Sequence, residues 1–396
     1  MIDIPRLYLG RVSPSDRLRY GHGTSPAAAR KPVVVWNVTR RCNLSCVHCY
    51  SASDATPAED ELTTDEGRAL VDDLARFGCP VILFSGGEPL LRPDLTELVR
   101  HAARAGARAV VSTNGTLLDA AKAAELKDAG AAYVGVSLDG LREMHDRFRG
   151  REGAFDLALA GIRACRDAGL KVGIRYTVTR ENTGDVPGVF DLIEAESVPR
   201  ACFYHLVRIG RGSALADQDL DHRETRRVVD LIVDKTAELI ARDGVREVLT
   251  VDNHADGPYL YLRMLREGRP GAEEALELLR RSGGNASGSG IGCVSWDGTV
   301  YPDQFWRTRP LGNVRERPFS RTWTDLSDPA VAVLKEKWRH VKGRCAACRF
   351  LDACNGNLRA RAEAATGDPW APDPACYLSD EEIGIEPDSD GGSRLG

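Results

Sequence analysis

The sequence predicts an α/β protein whose parallel strands form a sheet or a partial barrel. From residue 33 onward, short runs rich in β-branched residues alternate with longer helical patterns, which is typical of βα units. Unusual short motifs follow several of these runs, and ligands of such folds bind at the carboxyl ends of the strands. With 396 residues, the chain is long enough for a large core and for two or three domains.

Six runs are predicted as the strands of this unit. They cover residues 33–38, 80–85, 108–112, 133–138, 171–178 and 201–207. Between the first two runs, Leu70, Leu74 and Phe77 recur at the spacing of one helix face. Right-handed crossovers between successive strands would place all six in one sheet.

A different organisation is predicted beyond about residue 220, where the alternation stops. A charged and apolar pattern over 221–242 indicates one long helix, and the glycine-serine stretch at 282–292 is either a flexible linker or a loop that closes over a site. Asp297-Gly298 between apolar runs predicts a hairpin turn. The predicted units are a lead segment at 1–31, the barrel at 32–220, a helical connector at 221–281, a cysteine-rich domain at 282–381 and a disordered tail at 382–396.

The composition is that of a soluble globular protein, with 42% hydrophobic and 28% charged residues. A net charge of −5, from 53 basic and 58 acidic residues, and the lack of a basic stripe argue against a nucleic-acid partner. No window is typical of a membrane helix or a signal peptide. We therefore expect a cytoplasmic protein with neither a membrane nor a nucleic acid as its partner.

Eleven cysteines are unusual for such a chain, because clustered thiols in a reducing compartment more often bind metal or do redox chemistry than form disulfides. Cys42, Cys46 and Cys49 lie directly after the first predicted strand. Three thiolates at this spacing suit three corners of an iron–sulfur cube and leave one iron open. A zinc knuckle or three unrelated core thiols are the alternatives. The cysteines predicted to be buried thiols, from their apolar surroundings, are Cys79, Cys165 and Cys202.

A second group of four cysteines lies near the C-terminus. Four thiolates are enough to close every iron of a [4Fe–4S] cube. Paired cysteines at such spacings also bind tetrahedral zinc, which is the alternative. The members of the group are Cys345, Cys348, Cys354 and Cys376.

The C-x3-C-x2-C motif after the first strand and the SGGEP motif at 85–89 after the second together resemble the radical S-adenosylmethionine (SAM) superfamily. The resemblance implies a partial (βα)6 barrel and a [4Fe–4S] cluster held by Cys42, Cys46 and Cys49. It also implies reductive cleavage of SAM to methionine and a 5′-deoxyadenosyl radical. The positions that it places at or near SAM are Gly86, Gly87, Glu88, Pro89, Asn114, Ser137, Asp139, Arg175, His48 and Tyr50.

The C-terminal cysteines resemble the SPASM extension of the same superfamily, whose full pattern holds two auxiliary clusters. Leu358 and Asp303 stand where that pattern has cysteines, so we expect one auxiliary [4Fe–4S] cluster with the four C-terminal cysteines as ligands. Cys293 is a relic of the lost site, a ligand that replaces one of the four, or a proton or hydrogen-atom donor. Asp303 is either an unusual iron ligand or a turn carboxylate.

Longer stretches, including 250–260 and 367–378, resemble the superfamily members of heme d1 biosynthesis. This resemblance implies removal of two propionate side chains from 12,18-didecarboxysiroheme, an iron-containing tetrapyrrole. It also implies a low-potential electron donor such as a flavodoxin or a ferredoxin. The alternatives are a related radical SAM decarboxylase of the siroheme-dependent heme pathway, a peptide-modifying SPASM maturase and a non-catalytic iron–sulfur scaffold.

Arginine suits the carboxylates of such a substrate because its planar fork matches their geometry, and neutral imidazole is a common metal ligand. The predicted substrate contacts are Arg208, Arg211, His205 and His254, with Arg175 near the same rim. No residue is predicted as a protein acid or base. Cys293 and His205 are the candidates for a direct catalytic role, and an ordinary structural role is the alternative for each.

Overall fold

The computed structural model describes residues 1–21, 31–243 and 246–386. The strands in this part of the chain are β1 (Ile2–Asp3), β2 (Val33–Asn37), β3 (Val81–Ser85), β4 (Arg108–Thr113), β5 (Tyr133–Ser137), β6 (Val172–Val178), β7 (Arg200–His205), β8 (Glu247–Val251), β9 (Ile291–Val294), β10 (Thr299–Tyr301) and β11 (Gly312–Asn313). Among the described residues they form one sheet of eleven strands, in the order β1-β8-β7-β6-β5-β4-β3-β2-β9-β10-β11.

Strands β2 to β7 are the six strands predicted from the sequence, and they lie side by side in chain order. Each neighbouring pair among them is parallel, with Val34 opposite Ile82 at one end and Ile174 opposite Ala201 at the other. Parallel neighbours require crossovers, so the carboxyl ends of all six strands meet at one rim. The predicted α/β class with parallel βα units is confirmed.

Both edges of this parallel unit carry further strands, of which the sequence analysis identified only the hairpin at Asp297-Gly298. β8 pairs parallel with β7, and β1 pairs antiparallel with β8. At the other edge β9 pairs parallel with β2, and β10 and β11 continue the sheet in antiparallel fashion. The hairpin turn predicted at Asp297-Gly298 is confirmed between β9 and β10, where Gly298 has a φ of +85°. Residues from the N- and C-terminal regions therefore complete the sheet of the barrel.

The helices of the described residues surround and extend this sheet. They are α1 (Ile4–Leu9), α2 (Asp16–Tyr20), α3 (Thr64–Phe77), α4 (Leu95–Arg104), α5 (Ala120–Asp128), α6 (Arg142–Arg149), α7 (Ala154–Asp167), α8 (Val186–Ala195), α9 (His222–Asp243), α10 (Asp256–Arg266), α11 (Ala272–Ser282), α12 (Phe319–Thr324), α13 (Pro329–Lys335), α14 (Gly343–Ala346), α15 (Leu351–Cys354), α16 (Arg359–Thr366) and α17 (Asp380–Ile383). The long helix predicted at 221–242 is α9.

Helix α3 shows how local sequence sets these elements. Thr63 and Glu66 form a capping box that satisfies free N–H groups at the first turn. Gly78 ends the helix with a φ of +86°, which glycine adopts without a steric penalty. Leu70 and Leu74, predicted as one helix face, are buried against the sheet side of the core.

The glycine-serine stretch at 282–292 is packed rather than flexible, which contradicts the linker interpretation. Asn285 and Ser287 are 3% and 1% exposed. The N–H of Asn285 donates to the Cys354 carbonyl at 3.0 Å, and Lys337 Nζ donates to the Ser287 carbonyl at 2.5 Å. These bonds place the stretch beside the second cysteine group, so it does not close over the rim of the barrel either.

The two ends of the described chain are also structured. The predicted lead segment supplies β1 and α1, whose Ile4 and Leu7 are buried. At the other end Ser379 and Glu382 form a capping box, and α17 extends to Ile383, inside the segment predicted as a disordered tail. The remainder of that predicted tail, 387–396, lies outside the described residues. No helix of the described part is both long and apolar enough to cross a membrane.

Glu247, at the start of β8, is the centre of a buried ion-pair network. Its carboxylate accepts hydrogen bonds from Arg200 Nε at 2.6 Å, from Arg19 Nη2 at 3.2 Å and from Lys171 Nζ at 3.3 Å. Burial alone would raise the pKa of Glu247, but the charges of Arg200 and Arg19 outweigh it and hold the pKa at about 2. Arg19 belongs to α2, so the network ties the N-terminal residues to the strands.

We expect Glu247→Gln to lower the free energy of unfolding at pH 7 by about 3 kcal/mol, because it leaves buried guanidinium groups uncompensated. Urea denaturation measures this. The folded pKa of about 2 lies below the ordinary 4.5, so the wild type loses the contribution as pH falls from about 4.5 to about 2, and the variant has none to lose. Glu316→Gln, at an exposed position, is the control, and an equal loss there would contradict the assignment.

Candidate active site

The first cysteine group lies in the loop after β2, at the carboxyl end of the parallel strands. Cys42 and Cys46 are buried, Cys49 is half-buried, and all three are free thiols. Burial raises the pKa of Cys42 to about 12, and the Cys46 and Cys49 thiols are near enough to raise it further. All three line one cavity, called here the inner cavity. Its walls also include Tyr50, Gly86, Gly87, Asn114, Ser137, Arg175, His205 and Asp252.

The cysteine loop is held from the side by Arg211, which follows β7. Arg211 Nε donates to the Cys46 carbonyl at 2.8 Å, and Nη1 donates to the Ser53 carbonyl at 2.7 Å. The N–H of Arg211 also donates to the Cys49 carbonyl at 3.0 Å. The guanidinium thus holds the cysteine loop, and Arg211 also lines the inner cavity. Its predicted contact with the substrate stays a prediction.

Gly86 and Gly87 bring the loop after β3 into backbone contact with the cysteine loop. Gly86 has a φ of +136°, and the N–H of Gly87 donates to the Thr39 carbonyl at 2.8 Å. A Cβ at Gly87 would lie 2.2 Å from the Arg41 carbonyl oxygen. Only glycine permits this approach, so both residues line the inner cavity with backbone.

Glu88 lies beneath the cavity wall rather than in it. Its side chain is fully buried and accepts hydrogen bonds from the Thr113 hydroxyl at 2.6 Å and from the Asn114 and Leu90 N–H groups at 2.7 and 3.0 Å. Burial raises its pKa to about 6 against these stabilising bonds. Pro89 is buried at the start of a short 3₁₀ turn. Both residues support the wall in this structure, and their contact with SAM stays a prediction.

Asn114 and Ser137 do line the inner cavity, at the ends of β4 and β5. Asn114 Nδ2 donates to Asn43 Oδ1 at 2.9 Å, and Asn114 Oδ1 accepts from the Thr116 N–H at 2.9 Å. The first bond reaches the cysteine loop. The orientation of the Asn114 amide is therefore fixed by protein partners on both sides.

Asp139 is fully buried behind the cavity and forms an ion pair with Arg149. Burial alone would raise the pKa of Asp139, but the Arg149 charge, above all, holds it below its ordinary value. Arg149 also directs Nη1 to the Cys46 sulfur at 3.4 Å, so a guanidinium lies beside this thiol. The sequence analysis missed Arg149, since an arginine at the end of a helix carries no signal that separates it from a surface residue.

His48 and Tyr50 flank Cys49 on the inner cavity. His48 Nε2 lies 3.7 Å from Asp139 Oδ2, and burial lowers the His48 pKa to about 4, which keeps the imidazole neutral. The Tyr50 hydroxyl donates to Asn37 Oδ1 at 2.9 Å. Each is therefore oriented by a buried polar partner.

Arg175, on β6, lines the inner cavity with its guanidinium over the Tyr204 ring, 4.8 Å from the ring centroid. It makes no ion pair with a described side chain. A cation in this position can bind a carboxylate that enters the cavity.

Cys293, on β9, is 1% exposed and does not line the inner cavity. Its sulfur lies 3.7 Å from Asn37 Nδ2, and Asn37 in turn accepts the hydrogen bond of Tyr50. Cys293 is thus one residue removed from the cavity wall, which does not suit a hydrogen-atom donor that faces the substrate. The three cysteines predicted to be buried, Cys79, Cys165 and Cys202, are buried.

The second cysteine group is assembled by α14, α15 and the segment before α17. Burial raises the pKa of Cys354 well above its ordinary value, and the thiols of Cys376, Cys345 and Cys348 are near enough to add to the shift. The structure therefore brings the four predicted ligands together, away from the inner cavity.

Asp303 is a turn carboxylate. Its Oδ1 accepts the N–H groups of Phe305 and Trp306, both at 2.8 Å, and its Oδ2 accepts the Ser287 hydroxyl. Leu358, at the other position where the SPASM pattern has a cysteine, is 4% exposed in the core. The Asp303 oxygens are thus occupied by hydrogen bonds, and a leucine side chain has no metal-binding atom.

The comparisons with known proteins agree with this geometry. A sequence profile described as the Radical SAM superfamily matches residues 36–193. The Fe-coproporphyrin III synthase of Methanosarcina barkeri is 56% identical over 395 residues, 97% of this chain and 99% of the relative. The chain belongs to the radical SAM superfamily.

Two further relatives extend this assignment. The pre-heme d1 synthase of Dinoroseobacter shibae is 42% identical over 93% of this chain and 92% of its own. The structure of SuiB from Streptococcus suis bound to S-adenosylmethionine superimposes with a TM-score of 0.71 at 16% identity, covering 88% of this chain and 78% of that chain. The second likeness shows a shared fold. The predicted radical SAM architecture with a SPASM-like C-terminal part is thus confirmed at the level of fold.

The inner cavity suits the cofactors of a radical SAM enzyme, SAM and a [4Fe–4S] cluster. Cys42, Cys46 and Cys49 would hold three irons, and a reduced cluster supplies the electron that cleaves SAM. Among the described residues no three His, Cys, Asp or Glu side chains converge on a single metal-ion position. This does not oppose a cluster, since its ligands bind different irons. The protein's own part is a glycine wall, a fixed Asn114 amide and the Arg149 cation beside Cys46.

A larger outer cavity adjoins the inner one in this radical SAM protein. It is bounded by the loop after β7, the start of α9 and the C-terminal region, and its volume is about 840 Å³. His205 and Leu206 line both cavities. His205 Nε2 lies 2.8 Å from Asp256 Oδ2, so the imidazole is held in place where the cavities meet.

Arg208 and His254, the other predicted substrate residues of this region, differ in whether they line a cavity. Arg208 lines the outer cavity, with Nε 3.2 Å from Asp219 Oδ2. His254 lines neither cavity, and its N–H donates to Asn357 Oδ1 at 2.7 Å. The structure therefore joins His205 and Arg208 at the cavities and leaves His254 apart from them.

Asp252 is a candidate functional residue that the sequence reasoning missed. It follows β8, lines the inner cavity and has a φ of +67°, which is strained for a residue with a Cβ. Burial raises its pKa to about 6. The signal that could have found it is its position directly after a strand, and β8 itself was not predicted.

We expect Gly87→Ala to destabilise the protein by about 1–3 kcal/mol, because the new methyl group would collide with the Arg41 carbonyl. The cysteine loop would be displaced, so iron content after anaerobic reconstitution should fall together with the urea midpoint. Gly184→Ala is the control, since a Cβ there meets open space. Retention of full iron content in the Gly87 variant would contradict the close contact.

Proposed function

We propose that this enzyme forms Fe-coproporphyrin III by removing acetate side chains from a siroheme-derived iron tetrapyrrole. The observation that carries the proposal is the 56% identity to the Fe-coproporphyrin III synthase of Methanosarcina barkeri over nearly the whole of both chains. Formation of pre-heme d1, with loss of propionates as the sequence analysis expected, is the second candidate. It is supported by 42% identity to a pre-heme d1 synthase.

The two adjoining cavities support a substrate larger than SAM. The inner cavity, of about 170 Å³, holds the cysteine loop and the polar wall, while the outer cavity, of about 840 Å³, opens beside it. SAM, once bound and reductively cleaved, supplies the radical that abstracts hydrogen from the side chain. Arg175 would bind the carboxylate of that side chain, and the buried inner walls would keep water from the radical. A flavodoxin or ferredoxin remains the proposed electron donor.

We also propose that the four C-terminal cysteines hold one auxiliary [4Fe–4S] cluster in a SPASM-like domain that spans 282–381. Their clustering, away from the inner cavity, supports this assignment. The Asp303 and Leu358 environments support one auxiliary cluster rather than two, since neither supplies a ligand.

The function is tested with reconstituted enzyme, dithionite, SAM and 12,18-didecarboxysiroheme, following 5′-deoxyadenosine and the tetrapyrrole mass together. We expect loss of two two-carbon acetate chains and formation of Fe-coproporphyrin III. Loss of two three-carbon propionates would establish the pre-heme d1 alternative. Deoxyadenosine without any change of the tetrapyrrole would reject both and favour the substrate of a sister heme-pathway enzyme or a peptide. Cys46→Ala, which removes a proposed cluster ligand, should yield no deoxyadenosine.

The auxiliary cluster is tested by Cys354→Ala, which should lower the iron content of the reconstituted chain from about eight to about four. SAM binding should persist, because the inner cavity is unchanged. Cys165→Ala, which removes a buried thiol outside both cysteine groups, is the control. One zinc per chain in the wild type, with about four irons in both proteins, would identify the C-terminal site as zinc.

A further inference from the structure

The wall of the outer cavity carries an excess of positive charge, since four arginines and two aspartates are among its lining residues. Arg223 and Arg227 lie four residues apart on α9, so both side chains point to one face of the helix, and both line the outer cavity. Both are exposed, and neither makes an ion pair or hydrogen bond with any described group. These two guanidinium groups give one cavity wall a local positive charge, although the chain as a whole has a net charge of −5.

The other charged residues that line the outer cavity have hydrogen-bond or salt-bridge partners within the protein. Arg361 is paired with Asp373, with Nε 2.9 Å from Oδ1. The Asp221 carboxylate accepts the N–H of Glu224 at 2.7 Å, which caps α9, and Glu224 is in turn bound by Arg180 Nη2 at 2.8 Å. The pairing of Arg208 with Asp219 is described above. Among the described residues that line the outer cavity, Arg223 and Arg227 are the arginines without a salt bridge, and their charge is offset only in part, by the Asp221 carboxylate on the same wall and by Glu224, which interacts electrostatically with Arg227.

Size and position favour a large anionic ligand at this wall. Ligand pockets for drug-sized molecules have volumes of about 300–1,000 Å³. The outer cavity falls within this range at about 840 Å³ and is far larger than the inner cavity, at about 170 Å³. His205 stands where the two cavities meet, so a ligand in the outer cavity can extend one edge toward the radical source.

We propose that Arg223 and Arg227 bind carboxylates of the tetrapyrrole that the reaction leaves in place, and that the outer cavity is the seat of the macrocycle. This inference rests on the proposed function and deepens it. Arginine binds carboxylates bidentately. Two arginines on one wall therefore select a ligand whose two carboxylates are separated by the matching distance. They thereby fix which edge of the ring faces the inner cavity.

The test measures equilibrium binding of Fe-coproporphyrin III to the reconstituted enzyme by its absorption change, without reductant. We expect Arg223→Gln and Arg227→Gln each to weaken the Kd about tenfold, and the double variant about a hundredfold, as loss of one charged hydrogen-bonded contact each implies. Lysine at either position should recover part of the affinity, because it keeps the charge without the fork. The tetramethyl ester should bind the wild type weakly and respond little to either substitution.

Arg321→Gln, an equal charge change at an exposed position on α12, is the matched control and should keep the wild-type Kd. Wild-type affinity in the double variant, or equal affinity for acid and ester, would overturn the inference and leave the proposed function standing. A wild type that binds no Fe-coproporphyrin III would also overturn the inference, whereas the proposed function fails only when the turnover assay gives no Fe-coproporphyrin III. Iron content and SAM binding of the double variant should match the wild type, since neither arginine touches the inner cavity.

Discussion

The backbone contact between the loop after β2 and the loop after β3 is the constraint on which the inner cavity depends. One loop carries the three cysteines, and the other approaches it so closely that Gly87 has no room for a Cβ beside the Arg41 carbonyl. Since parallel neighbours bring their carboxyl ends together, the pairing of β2 with β3 makes this contact possible. The glycines make it close enough to form a cavity wall from backbone. The rest of the site is arranged around this pair of loops.

A buried ion pair next to the inner cavity also helps to hold the cysteine loop in position. Arg149 is shared between the buried Asp139 carboxylate and the Cys46 sulfur, so a carboxylate from the end of β5 fixes a cation at the cysteine loop. A buried ion of either sign is costly alone, and the pair is stable because each member has a partner. If Cys46 is deprotonated as a cluster ligand, the guanidinium would also offset the new negative charge. Asp139 therefore acts on the site through Arg149, without reaching the cavity.

The sequence predicted those parts of the fold that depend on residues close together in the chain. β-branched runs between helical patterns identified six strands, and the cysteine spacing identified the loop after the first of them. Strands β1 and β8 were not predicted, and neither was the pairing of β9 with β2, because each depends on partners far away in the chain. The hydrogen bonds of Arg211 to the cysteine loop were not predicted either, since they depend on Gly210, which has a φ of +60° and lies close to the Tyr50 carbonyl. Side-chain direction of this kind follows from tertiary contacts.

The polar contacts around Asp303 explain how the fold keeps its C-terminal domain with an incomplete cysteine pattern. Asp303 accepts two backbone N–H groups and the Ser287 hydroxyl, while the buried Lys337 donates to the Ser287 carbonyl at 2.5 Å. Burial lowers the Lys337 pKa to about 7, so this ammonium is held against a desolvation cost by its carbonyl partner and by the nearby carboxylate. A hydrogen-bonded network can fix a loop as a metal ligand set does, because each buried polar group satisfies another. In this part of the chain, backbone and side-chain hydrogen bonds link the 285–288 loop to the turn at Asp303 and to Lys337.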